Sequence, residues 1–463
     1  MPPPDLEPNA VRQALDYYDD WLALRRRYLR IPGVQAAVWY DGGVALSTAH
    51  GHADVEHDVP LTAGHLFRIA SHTKTFTATV VMQLVEEGAL RLDDTCDHVL
   101  GDVSSALAAV TVRELLQHTS GLVRDGFDGD FWQLYHDFPD TAALAPLMAD
   151  GRALAVPRND RFKYSNIGYG VLGLIVEAVT GRSYADAVRQ RITERLGLAD
   201  TAPEYDPSRA ADYATGYSAL AYADARVPIE QADTRALASA TGAYSTTADL
   251  VRYFAAHCEG APELLTEDSK RQMQNGAWST GQGDERYGLG LSVVEVGDRT
   301  VRGHGGGYPG HSTSSVFDTD AGLAVSVCTN AIDGAAEPLA HAAVRLIDHA
   351  CDGAVPSGDG LQRYAGRFAT LWTVVDVALL GGRLFLVRPT LPDPVERLAE
   401  LEVEDDTTLR IAGGSGFGSY GEQLHYRFAA DETIESVRGE SAATMVPLDR
   451  FSLPERVAPG WQG

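Results

Sequence analysis

Arg68–Gly88 reads RIASHTKTFTATVVMQLVEEG. It contains Lys74, one of only three lysines (Lys74, Lys163, Lys270) among 38 basic residues, the rest being arginine. Arginine stays protonated at any ordinary pH, whereas burial or nearby positive charge can leave a lysine as a neutral amine. A lysine three residues after Ser71 is therefore a candidate proton handler. The spacing predicts a helix that begins near Ser71 and ends at Gly88, a good residue for the position just past a helix end. Residues i and i+3 share a helix face, about 5–6 Å apart at Cβ. Ser71 and Lys74 then become neighbours at a helix N-terminus, where outward amides and the dipole favour negative charge. An oxyanion is stabilised in that position, and a neutral amine can accept the proton that otherwise keeps serine a poor nucleophile. Taken alone, Ser-x-x-Lys is a weak signal, and the plainer reading is an N-cap serine followed by a solvated lysine.

Two further stretches carry chemistry. In RFKYSNIGYG, residues 161–170, Tyr164 and Asn166 flank Ser165 in a loop before another helix. Tyr-x-Asn puts a phenol and an amide on one side of an extended segment. A tyrosine beside a cationic lysine can have its pKa lowered enough to act as a base, and the asparagine can hold the lysine head group or a substrate amide. The plainer reading is a loop tyrosine with a turn-forming Asn. In RGHGGGYPGHSTSS, residues 302–315, His304 precedes Gly305, Gly306 and Gly307. Consecutive glycines let a backbone approach a ligand closely, their N–H groups can serve as oxyanion donors, and His304 can add a donor or a proton. The plainer reading is a glycine-rich hairpin turn with an incidental histidine. HGGG also marks the oxyanion loop of α/β-hydrolases, but the G-x-S-x-G elbow that reading needs is missing from this sequence.

In chain order, a Ser-x-x-Lys helix start, a Tyr-x-Asn loop and a His-x-Gly strand resemble the serine β-lactamase and penicillin-binding-protein superfamily. The branch is that of class C β-lactamases, DD-peptidases, D-aminopeptidases and family VIII esterases. The resemblance runs from about Pro32 to Ala350 and includes LLQHTSGL, YSNIGYGVLGLIVE and TGAYSTTADL. It implies that Ser71 is the acyl-accepting nucleophile, Lys74 its activating partner and Tyr164 a general base and acid. Asn166 anchors the substrate amide, His304 replaces the third-motif cation, and the amides of Ser71 and Gly307 form the oxyanion hole, with Gly306 beside them. Class C β-lactamases carry Lys-Thr-Gly where this chain has His304-Gly305-Gly306. A histidine neutral at pH 7 supplies no constant charge for a β-lactam carboxylate, so poor penicillin turnover is expected.

The 463 residues carry a formal charge of −26, which disfavours nucleic acid and anionic membrane as partners. No apolar run approaches the roughly 20 residues of a spanning helix, and MPPPDLEPNAVRQ lacks a signal-peptide pattern. Cys96, Cys258, Cys328 and Cys351 are scattered and read as reduced thiols of a cytoplasmic protein. No H-E-x-x-H is present; His50, His52 and His57 read as surface histidines, and neither metal nor cofactor is expected.

Residues 10–30 read as an amphipathic helix, VQAAVWYDGGVALSTAHG as a hairpin around DGG, about 90–250 as a helical lobe, the region after Tyr287 as strands, and Glu337–Ala350 as a helix. The fold class is α/β: an antiparallel sheet flanked by helices with a helical insertion lobe, followed by a small all-β barrel or sandwich. Domain 1–352 is β-lactamase-like. After a linker, 361–463 resembles the lipocalin-like domain of D-aminopeptidase-like members and peptide-cyclising thioesterases. Its strand candidates are RLFLVRP, TLRIAG, QLHYRFA and SVRGESAATMVPL, with a turn at 413–421, and Arg427, Arg438 and Arg450 are candidate carboxylate binders or plain surface arginines.

Three functions follow. The first is a serine hydrolase acting on short peptides, amides or esters, including those with D-residues. The second is a macrocyclising peptide thioesterase, for which a peptidyl carrier protein is the implied partner. The third is a non-catalytic binder of peptides or β-lactams.

Overall fold

The computed structural model describes residues 2–144, 153–356, 358, 360–414, 418–439 and 442–453. By contacts the chain divides into two units. One is Leu29–Ala340; the other joins the N-terminal residues through Tyr28 to those from His341 onward. The sequence suggests a border at the linker after Cys351; the contacts draw it inside a helix, so the N-terminal helix groups with the barrel.

The larger unit is built on a nine-stranded antiparallel sheet. Its strands are β1 (Gly33–Tyr40), β2 (Gly43–Asp54), β3 (Val59–Pro60), β4 (Trp278–Ser279), β5 (Arg286–Tyr287), β6 (Ser292–Val296), β7 (Arg299–Tyr308), β8 (His311–Asp318) and β9 (Leu323–Thr329). Their spatial order is β3-β2-β1-β9-β8-β7-β6-β5-β4. The first and last thirds of the unit thus meet at the β1–β9 pair, where Val34 lies opposite Thr329 and Val38 opposite Val325. The DGG hairpin forms as the sequence implies. Asp41 and Gly42 both take positive φ, 52° and 76°, the pattern of the two-residue turn that matches strand twist. Central strand β9 is buried along its whole length, and it reads accordingly as a nearly continuous apolar run, LAVSVCT.

Between β3 and β4 the chain leaves the sheet. Its helices include α2 (Thr73–Glu86), α3 (Val112–Leu116), α4 (Asn166–Thr180), α5 (Thr247–Ala255) and α6 (Glu267–Gln274). Helix α2 is buried from Thr73 to Leu84, so it shows little of the one-sided pattern of a surface helix. Its threonines send hydroxyls back to carbonyls three or four residues earlier, as Thr75 does to His72 at 2.8 Å and Thr79 to Thr75 at 2.9 Å. Gly88 follows with φ +70°. Among the described residues of 90–250, short helices alternate with loops.

The second unit contains α1 (Pro8–Tyr28), the end of α7 (Ala336–Cys351) and a closed eight-stranded antiparallel barrel. The barrel strands are β10 (Gly366–Ala369), β11 (Val374–Leu380), β12 (Arg383–Val387), β13 (Ala399–Asp405), β14 (Thr408–Ile411), β15 (Gln423–Phe428), β16 (Ile434–Gly439) and β17 (Ala443–Pro447). Closure removes the exposed edges an open sheet would keep. The stretch SVRGESAATMVPL, taken as one strand, supplies parts of two, because the chain reverses between Gly439 and Ala443. The turn expected at 413–421 lies partly outside the described residues. Helix α1 packs on β11: Tyr17 donates to Asp376 at 2.9 Å, and Arg367 holds the same carboxylate at 2.8 and 2.9 Å.

Candidate active site

Ser71 lies in a 3-10 turn, Ala70–His72, that leads into α2. Ala70 adopts φ +48°, a conformation that costs a non-glycine residue energy and persists only where its surroundings impose it. Those surroundings are explicit. The Thr73 hydroxyl donates to Ala70 O at 2.6 Å and accepts Ala243 N–H at 3.0 Å, and Ile69 N–H donates to Ala243 O. On the other side, the backbone of Gly306 presses on Ile69: a Cβ at Gly306 would come within 2.2 Å of Ile69 O.

Three side chains converge as the motifs imply. Lys74 Nζ is 3.1 Å from Ser71 Oγ, and Tyr164 O–H donates to the same oxygen at 2.7 Å. Lys74 also donates to Asn166 Oδ1 at 2.7 Å and to Ala240 O at 2.8 Å. A neutral amine has two hydrogens and one lone pair. Two carbonyl oxygens take both hydrogens, so the lone pair is left to face the Ser71 hydroxyl. Burial holds the Lys74 pKa well below the ordinary amine value; Asp125 opposes that shift and Arg124 adds to it. The amine also lies near the faces of Tyr164 and Tyr169, 4.8 and 5.5 Å from their ring centres.

The Tyr164 phenol differs from expectation. A cationic lysine was to lower its pKa; burial instead raises it above the ordinary phenol value, against smaller lowering influences from the Ser71 hydrogen bond and Arg124. Burial also disfavours charge on the amine beside it, and Tyr164 stands as a proton donor to Ser71.

His304 lies on β7 with all three glycines; the turn comes one step later, at Pro309–Gly310. Its Nδ1 faces Gly305 O at 2.6 Å, which fixes Nδ1–H as the donor and leaves Nε2 to accept from Tyr287 O–H at 3.0 Å. Burial, then any charge on Lys74, pushes its pKa down to about 3, so it is neutral at pH 7. Gly307 is placed by register. Antiparallel residues alternate between bonded and non-bonded pairs. Strand β6 starts at Ser292, opposite Gly303; further along β7, the amides of Gly305 and Gly307 point to an edge that β6 does not cover.

Several residues at the site carry no motif of their own. His118, within LLQHTSGL, is fully buried and accepts Ser165 N–H through Nδ1 at 3.1 Å. Its ring packs on Tyr164, Tyr169 and Tyr287, with centres 4.3–5.0 Å apart. Asp125 accepts from Asn166 Nδ2 at 2.6 Å. The flanking LLQHTSGL pointed to this neighbourhood, but nothing local pointed to Asp125 or Tyr287. Among the described residues no group of three or more His, Cys, Asp or Glu side chains is set to hold a metal ion, and no helix is long and apolar enough to cross a membrane. His52 pairs with Asp58 and His57 with Asp54; all four cysteines are free and buried. On the barrel, Arg427 pairs with Glu435, and Arg450 donates to Ile434 O at 3.0 Å.

A model of the Beta-lactamase family matches residues 19–349, and the chain belongs to that family. It is 28% identical over 289 residues to Penicillin-binding protein 4* of Bacillus subtilis, covering 59% of this chain and 63% of that protein; the match thus spans under two thirds of the relative's length. Among solved structures it is similar to a D-stereospecific amidohydrolase from Streptomyces sp. (27% identity, TM-score 0.56, 70% of this chain and 94% of that one). It is also similar to D-amino acid amidase from Ochrobactrum anthropi SV3 complexed with L-phenylalanine amide (26%, 0.60, 74% and 98%).

Proposed function

We propose that this protein is a serine hydrolase that forms an acyl-enzyme on Ser71 and cleaves amides or esters of short peptides or single amino acids, with a D-residue on the acyl side. One observation carries the reading. Ser71 Oγ accepts from Tyr164 while facing an amine whose two hydrogens are taken by Asn166 and Ala240. In acylation the Ser71 proton passes to Lys74 as the Oγ–C bond forms. The amides of Ser71 and Gly307 hold the oxyanion, which lies at the helix N-terminus. When the C–N or C–O bond breaks, the leaving group takes the Tyr164 proton, and the ammonium of Lys74 compensates the phenolate. Water then attacks the ester carbon and gives its proton to the Tyr164 phenolate, while the C–Oγ bond breaks and Ser71 Oγ takes back the proton held by Lys74. The names of the amidohydrolase and amidase support the D-configured acyl side.

The test is intact-mass analysis after incubation with a fluorophosphonate, together with turnover of D- and L-phenylalanine amide. One adduct per chain, lost in Ser71→Ala, and faster release from the D-amide are expected. A folded protein that takes no adduct and turns over neither amide leaves the non-catalytic binder as the surviving function. A linear peptidyl thioester is the third arm: free acid supports hydrolysis, whereas a product short of one water would make the enzyme a cyclase with a carrier protein as its partner.

A further inference from the structure

Asn166 has two chemically different ends, and only one of them suits Lys74. If the amide were turned over, its N–H groups would point at Nζ. They would compete with the Ser71 hydroxyl for the lone pair, and one Lys74 hydrogen would lose its acceptor. Something must therefore fix the amide, and the structure supplies it outside the three motifs. Asp125 Oδ1 accepts Asn166 Nδ2–H at 2.6 Å and also Trp132 Nε1–H at 2.9 Å. A carboxylate only accepts and an indole N–H only donates, so neither contact has a second orientation. The other Asp125 oxygen pairs with Arg124 Nε at 3.2 Å. Trp132 is held in turn by Phe138, edge to face with ring centres 5.0 Å apart.

The backbone keeps this contact in place. Arg124 O accepts the amides of Asn166 and Ile167, at 2.8 and 3.2 Å. The Ser165 hydroxyl donates to Val123 O at 2.7 Å and accepts Gly168 N–H at 3.0 Å. The segment 123–125 is thereby fastened to the first turn of α4, which bears Asn166.

We infer that Asp125 is a positioning residue: by pinning the Asn166 amide it directs the lone pair of Lys74 at Ser71. The inference rests on the acyl-enzyme reading and adds a residue that no catalytic motif contains. Asp125 also acts by charge. The charged and titratable groups around Lys74 are Asp125, Arg124, Tyr164, Tyr169, His118 and His304. Of these, Asp125 alone is a carboxylate, and it favours the ammonium.

The test measures the fluorophosphonate labelling rate from pH 5 to 9 for wild type, Asp125→Asn, Asp125→Glu, Trp132→Phe and Asn166→Ala. In Asp125→Asn the plateau rate should fall about 10–100-fold, the scale of a reacting group displaced by about 1 Å. The acid limb should move to lower pH, because an ammonium without its carboxylate neighbour loses its proton more readily. Asp125→Glu should recover part of the rate, and Trp132→Phe, which removes one hydrogen bond and leaves the charge, should cost severalfold. On the Asn166→Ala background, Asp125→Asn should lower the plateau no further. An Asp125→Asn protein with the wild-type rate and limb overturns the inference and leaves the acyl-enzyme intact. So does an undiminished second loss on the Asn166→Ala background. If Asp125→Asn does not fold, wild-type labelling in Trp132→Phe overturns it in the same way. Absence of labelling in wild type removes the proposed function, and this inference with it.

Discussion

Lys74 and Lys270 are both buried amines, and each has three oxygen neighbours. Lys270 Nζ donates to Cys258 O at 2.8 Å, to Ala261 O, and to Glu267 Oε1 at 3.0 Å. Lys74 faces Asn166 Oδ1, Ala240 O and the Ser71 hydroxyl. The count is the same; the character of the third partner differs. A carboxylate and two carbonyls can accept three hydrogens, and these bonds tie α6 to the loop after α5. Two carbonyls and a hydroxyl leave the third position chemically open, because a hydroxyl can donate to a lone pair as readily as it accepts. The carboxylate that serves Lys74 stands one amide away, at Asp125. Burial without a charged partner is what allows a lysine to give up its proton, and Lys74 is placed in that way.

Exchanging the lysines for arginine or an apolar residue would break this comparison most directly. Lys74→Arg should lose about 10³–10⁴-fold in kcat/KM, close to Ser71→Ala, since a guanidinium does not give up its proton. Near-normal turnover in that variant would remove Lys74 as the proton acceptor. Lys270→Met should leave kcat intact but lower the unfolding free energy by about 1–3 kcal/mol, because the buried Cys258 O and the part-buried Ala261 O and Glu267 carboxylate lose their donor. Urea titration alongside turnover per folded molecule separates the two effects, and a drop in kcat would show that Lys270 serves the reaction.

Gly306→Ala sharpens the comparison from the other side of Ser71. Its Cβ would strike Ile69 O and push the serine turn off the Lys74 lone pair. About a hundredfold loss in kcat/KM is expected, with little change in KM; unchanged kinetics would mean that the turn has room to move. A separate effect concerns acid and acts on stability, not on rate. Burial holds His72 and His257 at about 4 and His304 and His311 at about 3. Each is neutral when folded but takes a proton when unfolded once pH falls below about 6.5. Stability is therefore full above pH 6.5 and falls as pH drops towards 4, by up to about 1.4 kcal/mol per pH unit for each histidine. Equal urea midpoints at pH 7 and pH 5 would contradict that.

Much of the architecture was legible because it is local. A turn of DGG, a Gly88 stop and the i, i+3 spacing of Ser71 and Lys74 depend on a few adjacent residues, and each forms as the sequence suggests. The barrel was harder to read. Gly366–Ala369 is only four residues long, too short for a pattern of its own; AELEVED in β13 does alternate apolar with acidic residues, but glutamate is a poor strand former and masks the signal. In the site, the three motifs converge as the family resemblance implied, while Tyr287, which occupies His304 Nε2, and Asp125 lie in stretches with no signature.

The sequence by itself determined that a serine and a lysine share one helical face, and that a Tyr-x-Asn and a His-x-Gly exist to meet them. Only the tertiary structure decided the protonation of Lys74, the raised pKa of Tyr164 and the orientation of the Asn166 amide. The reason is physical: side-chain spacing follows from the geometry of one helix, whereas a proton's position depends on every dipole and charge within a few ångströms. Here those come from Asn166 and Ala240, 92 and 166 residues along the chain from Lys74.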